Sequence, residues 1–292
     1  MANLVKLLNL LENSMTWNLA LIAFNNRDNA AFSIAGWYVD AGMVVNTLAG
    51  NDIISGIGGT SNSDINNGIT NKVSISNNGT IITGAGNDSI YGISDGIGIY
   101  NTGTINTGTG KDNIIGIGNV VGIYTFGTIN TGAGNDTITG ISTGGDLSSS
   151  KTSIFNIGIF NDEFTIDTGT GNDIVSGTGN FGISNTGTIN TGTGNDTVSA
   201  IVGGFSGNGS IYLGTGNDTL IGFGTGNFYG GTGTDKLLLG EGIYAISGSA
   251  IDSGGASMNA SQFEQIGGVN GGIFSYSDGI VIVNADGVAS FA

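Results

Sequence analysis

The 292-residue sequence contains no Cys, no His and no Pro, and its Lys and Arg together number 6. Each absence removes a class of function. Without Cys there is no disulfide framework, zinc ribbon or thiol nucleophile, and without His no serine-protease triad or imidazole metal site. Six scattered cations against 22 acids, a net charge of −16, give no basic footprint for nucleic acid. No run of about 18 apolar residues exists, so no membrane span is expected. Residues 1–24 are apolar but broken by Asn9, Glu12, Asn13 and Asn18, and no small-residue cleavage site follows, so a cleaved signal peptide is not expected either. Arg27 is the only Arg, and no exceptional acid pair stands out beside basic or Tyr partners. The expectation is a protein that is not an enzyme.

What is abundant is glycine, 57 residues, alongside 38% hydrophobic residues and a mean hydropathy of +0.19. Such a chain must bury apolar surface while making many tight turns. A short Gly-Asn-Asp string repeats through it, ending at Asp52, Asp88, Asp112, Asp136, Asp173, Asp196, Asp218 and Asp235. Successive separations are 36, 24, 24, 37, 23, 22 and 17 residues, an underlying period of about 24 with two long units. Aligned on the Asp, four further positions repeat as aliphatic or Phe. Two residues after it stand Ile54, Ile90, Ile114, Ile138, Val175, Val198, Leu220 and Leu237. Seven before it stand Val45, Ile81, Ile105, Ile129, Ile166, Ile189, Ile211 and Phe228. Thirteen before it stand Val39, Ile75, Ile99, Ile123, Phe160, Ile183 and Phe205, and five after it Ile57, Ile93, Ile117, Ile141, Thr178, Ile201 and Phe223. Polar Thr, Ser and Asn flank these anchors, the period-two mark of short strands with one buried face.

Four inward anchors per coil and Gly-rich corners predict an all-β parallel β-solenoid of about 24 residues per coil, with about three short sides. A coil cannot cover its own anchors, so coils stack and the core becomes a column. β-Branched residues and Gly at this density oppose helix. Both long units carry their extra residues at one corner, between Ile57 and Ile75 and between Ile141 and Phe160, where loops disturb no ladder. The predicted domains are an N-terminal cap or assembly segment at 1–40, the solenoid at 41–235, and a C-terminal cap at 236–292. Leu4, Leu7, Leu8 and Leu11 form a helical stripe, and Trp17 to Phe24 and Phe32 to Val39 read as strands.

Eight of the 18 Asp residues share one repeating position. Stacking would set them in file about 4.8 Å apart, a repulsion of about 1 kcal/mol per neighbouring pair even in water. Cations between coils would remove it. Oxygen ligands on flexible loops favour Ca²⁺ over Mg²⁺ or Zn²⁺. Eight stacked loops leave seven gaps, and seven Ca²⁺ would bring −16 to −2. Two glycines per loop let carbonyl oxygens share the site, which adds Gly86, Gly110, Gly134, Gly171, Gly194, Gly216 and Gly233 to the candidate set. A turn-forming Asn/Asp ladder without metal is the alternative.

The Gly-x-Gly-Asn-Asp-x-apolar strings resemble the calcium-binding nonapeptide G-G-x-G-x-D-x-U-x of the RTX (repeats-in-toxin) family. The resemblance implies Ca²⁺ held between consecutive loops by these Asp and loop carbonyls. It departs from the family in having one loop per coil, hence one calcium edge. Lys111 and Thr234 replace the usual Asn and should face solvent, and Leu48 replaces the leading Gly of the first loop. The C-terminal region, with Asp286-Gly287-Val288-Ala289-Ser290-Phe291-Ala292, looks like the uncleaved tail read by type I secretion machinery. The implied role is a secreted, calcium-binding structural protein of an extracellular filament, surface layer or matrix, its partners calcium and copies of itself. Head-to-tail growth through the first 24 residues is one expectation. A second is an ice-binding or adhesin face built from Thr109, Thr170, Thr193, Thr215 and Thr232 with Asn172, Asn195 and Asn217. A polysaccharide-binding solenoid is a third.

Overall fold

The computed structural model describes residues 22–23, 31–34, 37–57, 60–61, 72–144 and 156–292. Among them there are strands and turns and no helix. One coil shows the plan. Ser89–Ser94, Ile97–Asn101 and Thr104–Asn106 are three short strands joined by tight corners, and the next coil repeats them as Asn113–Gly118, Val121–Thr125 and Thr128–Asn130. Each strand pairs in parallel with its counterpart one coil away, Ile114 with Ile90 and Ile138, Ile123 with Ile99, Ile105 with Ile81 and Ile129. Three sheets result. The first, which runs into the Asp corner and includes Thr104–Asn106, has 14 strands. The second, which leaves that corner and includes Ser89–Ser94, has 11, and the third, including Ile97–Asn101, has 8. The parallel β-solenoid is therefore the fold.

Three of the four anticipated files build its core. Ile54, Ile90, Ile114, Ile138, Val175, Val198, Leu220 and Leu237 are fully buried inside the second sheet. Val45 to Phe228 line the first sheet and Val39 to Phe205 the third, in one continuous cluster. β-Branched side chains suit this surface because each packs on the same residue type one pleat away.

The fourth file is a correction. Ile57 and Ile201 are exposed, and Ile93, Ile117, Ile141 and Thr178 are only half-buried. The strand after the Asp is straight for five or six residues, so positions two and five after the Asp fall on opposite faces. The inward neighbour of Ile114 is Gly116, where an added Cβ would lie 2.2 Å from the Gly122 carbonyl oxygen of the third sheet. The second and third sheets thus touch backbone to backbone there, and no aliphatic layer fits between them. Phe223 differs, packing partly buried against the core and the Tyr244 ring.

Phe160 is a second correction. It stands outside, beside Tyr124, and Ile159 occupies the core in register with Ile123 and Ile183. An extra residue before Thr165 causes the offset: five positions separate Asn161 from Ile166, against four between Thr125 and Ile129. Glu163 absorbs it with φ of +64°.

The column is longer than residues 41–235 at both ends. Ile22–Ala23, Ala31–Ile34 and Trp37–Val39 pair in parallel with strands of the following coils, so part of the predicted N-terminal segment is itself solenoid. The leucine stripe of residues 4–11 lies outside the described residues. After Asp235 the parallel stacking continues through Ala256–Ser261 and Gln265–Gly268. Antiparallel strands then cap the open edges of the first and second sheets: Gly242–Ser247, Ala250–Ser253, Gly279–Val283 and Ala289–Phe291 on one, Gly271–Ser275 on the other. Most residues of the two insertions lie outside the described set, but the strands on either side of each keep register with their neighbours.

Candidate metal edge: an inner file of aspartates

The eight repeating Asp residues come together as one file at the corner between the first and second sheets. All are buried, at 0–1% exposure. The hydrogen bonds along the file have one direction. The Asp88 backbone N–H donates to Asp112 Oδ1 at 2.8 Å, Asp112 N–H to Asp136 at 2.8 Å, and Asp136 N–H to Asp173 at 2.7 Å. Asp52, Asp173, Asp196 and Asp218 donate likewise to the Asp of the following coil. Each carboxylate from Asp88 to Asp235 therefore holds the preceding coil's loop in register through one oxygen.

A counter-running ladder lies outside. The Lys111 N–H donates to Asn87 Oδ1, Asn195 N–H to Asn172 and Thr234 N–H to Asn217, all at 2.7–2.9 Å. Lys111 and Thr234 accept none of this burden with their side chains and are exposed, as expected of them. Because the Asn side chains take these N–H groups, the carbonyl oxygens of Gly86, Gly134, Gly171 and Gly194 accept no backbone hydrogen bond. Glycine is obligatory here: Gly110 has φ of +133°, and an added Cβ would meet the Gly86 carbonyl oxygen at 1.8 Å. Gly216 and Gly233 repeat the conformation, with φ of +147° and +141°. Leu48 also takes the left-handed conformation of the glycines it replaces, at φ of +74°.

The second carboxylate oxygen is the unusual feature. Oδ2 of Asp88, Asp112, Asp136, Asp173, Asp196, Asp218 and Asp235 is buried without a hydrogen-bond partner. Burial pushes the carboxyl of Asp112, Asp173 and Asp218 up to about 6 and that of Asp196 to about 7, and neighbouring Asp charges add to the rise. Asp88, Asp136 and Asp235 are raised for the same first reason. Backbone N–H donors oppose the rise. A second file, five residues before each Asp, also tempers it: Thr83, Thr107, Thr131, Thr168 and Thr191. These hydroxyls, however, direct their protons to the next coil, Thr83 to the Thr107 carbonyl at 3.1 Å and Thr191 to the Leu213 carbonyl at 2.8 Å.

Sequence reasoning missed this Thr file, although its fixed offset from each Asp was visible. It also missed Glu264, whose Oε2 accepts the Asp235 N–H at 2.7 Å and so ends the file with a carboxylate. Its signal was its place two residues before Ile266, matching Asp235 before Leu237.

The donor chemistry fits Ca²⁺: unpartnered carboxylate oxygens, hydroxyl lone pairs and free carbonyls, with no nitrogen or sulfur. Among the described residues no three acidic side chains converge on one point. An ion would draw on two neighbouring Asp at most and take its remaining ligands from neutral oxygens. The class defined by fold and site is thus a parallel β-solenoid with an acidic file inside one edge. The chain matches no known family, no curated protein and no solved structure.

Proposed function

We propose that this chain is a calcium-stabilised structural β-solenoid, exported to build an extracellular filament, surface layer or matrix. The observation that carries the reading is the file of buried carboxylates whose second oxygens have no hydrogen-bond partner. Asp88, Asp112, Asp136, Asp173, Asp196, Asp218 and Asp235 would hold the ions with neighbouring hydroxyl and carbonyl oxygens, and Asp52 would begin the series. Bound calcium supplies positive charge between successive coils. Without it, an ionised file opposes stacking, and the column would be much less stable where calcium is scarce. Outside the cell, millimolar calcium binding only the folded column stabilises it by mass action.

The test is thermal unfolding at pH 7.5 in EDTA and in millimolar CaCl₂, with calorimetry to count ions. A rise in Tm of 15 °C or more and several ions per chain are expected. Equal melting in both buffers defeats the reading.

The exposed Thr and Asn files favour a second role on the same scaffold. Ala85, Thr109, Ala133, Thr170, Thr193 and Thr215 pair coil to coil, and the Asn file runs alongside. Such a regular polar face could hold an extended, repeating ligand such as ice or a polysaccharide. Thermal hysteresis and pull-down on insoluble glycans address it.

A further inference from the structure

The corrected fourth file leaves an isoleucine stripe on the outer face of the second sheet, among Ser, Thr and Asn. Ile57, Ile93, Ile117 and Ile141 stand in exact-register succession along it, one per coil, and Tyr91 and Ile115 flank them two positions back. Ile57 is 54% exposed, and Ile93, Ile117 and Ile141 are shielded only in part. Solenoids need one apolar face, turned inward; a second, partly exposed stripe of isoleucines costs solubility without serving the column.

Charge says what can cover it. The chain carries −16, so a second copy is repelled at most approaches. The first sheet presents Asp167, and the corners bordering the third sheet carry Asp95, Asp162 and Glu163. Among the described residues, the outward positions of the second sheet from Ile53 to Leu238 include no acid, and Lys236 is their one charge. Two copies can meet there without bringing carboxylates together.

Size and shape agree. Eight coils at about 4.8 Å, crossed by strands of about 17–20 Å, give a flat footprint on the order of 600 Å² per copy. That approaches the roughly 800 Å² per partner of a standard interface. Both copies carry the same isoleucine spacing, so ridges of one fall between ridges of the other. A two-fold axis through the face makes the contact isologous and closed.

We infer that the outer face of the second sheet is a homotypic interface, through which two solenoids pair side by side with their isoleucine stripes interleaved. Pairing needs only the folded column, so it stands apart from the calcium role.

Sedimentation equilibrium tests it, run in CaCl₂ and again in EDTA at pH 5, with circular dichroism confirming the β fold. A wild-type dimer of micromolar Kd is expected. Ile117→Lys at the centre of the stripe should abolish pairing. Ile117→Thr, which copies the residue that Thr178 places naturally in the same file, should weaken it at least tenfold while keeping the fold. Asn106→Lys on the first sheet should leave it unchanged. A monomeric wild type overturns the inference, as does a dimer indifferent to both Ile117 variants. A monomer that instead binds neutral phosphatidylcholine vesicles through this stripe overturns it too.

Discussion

At the residue scale, the Asp corner asks one side chain to do two jobs. Oδ1 must accept a backbone N–H, which Asn could also do, while Oδ2 lies buried without a hydrogen-bond partner, where Asn would place an N–H beside the Thr191 hydroxyl oxygen. Asp196→Asn should therefore raise Tm in EDTA at pH 8, by the equivalent of about 1 kcal/mol, because a neutral amide removes an unpaired buried acceptor. In CaCl₂ the same variant should melt below wild type and bind fewer ions by calorimetry. A gain in both buffers would mean the file is only a turn ladder. Leu48 gives a second residue-scale outcome. It holds φ of +74°, a left-handed conformation that a bulky L-residue adopts at a cost of about 1–2 kcal/mol. Leu48→Gly should stabilise the protein by about 1 kcal/mol in chemical denaturation, the strain relieved being set partly against glycine's greater freedom in the unfolded chain.

At the scale of strands and corners, what sequence could show depended on whether a position repeats inside a straight strand or across a bend. Files two after and seven before each Asp were legible because each sits mid-strand, where period two fixes its face. Ile117 was misplaced because Gly116, between it and Ile114, is a strand residue whose missing side chain lets the third sheet close in. Phe160 was misplaced because one added residue near Glu163 shifts alignment without changing composition. The Asp file itself was legible as a file; the unpartnered state of Oδ2 and the Thr hydroxyls beside it depend on side-chain direction, which spacing alone does not fix. The same close packing makes the corner intolerant. At Gly134 an added Cβ would lie 1.5 Å from the Gly110 carbonyl oxygen, at φ of +144°. Gly134→Ala should cost about 4 kcal/mol or more, since only separation of two coils relieves the clash. Soluble, natively folded G134A with an unchanged denaturation midpoint would contradict the corner geometry.

At the scale of the whole column, seven raised carboxyls in one file couple folding to pH as a set. Their folded-state values lie above the ordinary Asp value of about 3.9, so in this range the native state holds protons that the unfolded chain has released. The stabilisation is complete below about pH 4 and is lost as pH rises through about 6 for Asp112, Asp173 and Asp218 and about 7 for Asp196. In EDTA, Tm should fall from pH 5 to pH 8 and level off above. Calcium must displace those protons to bind, so its own stabilisation grows over the same interval. In CaCl₂ the profile should flatten or reverse, and the two curves should meet near pH 5 and diverge steadily above pH 6. The divergence separates an ion held by the carboxylates of the inner file from calcium acting at exposed acids such as Asp95 or Glu163. Parallel EDTA and calcium profiles would locate any calcium effect at the surface and leave the inner file as a proton-filled ladder.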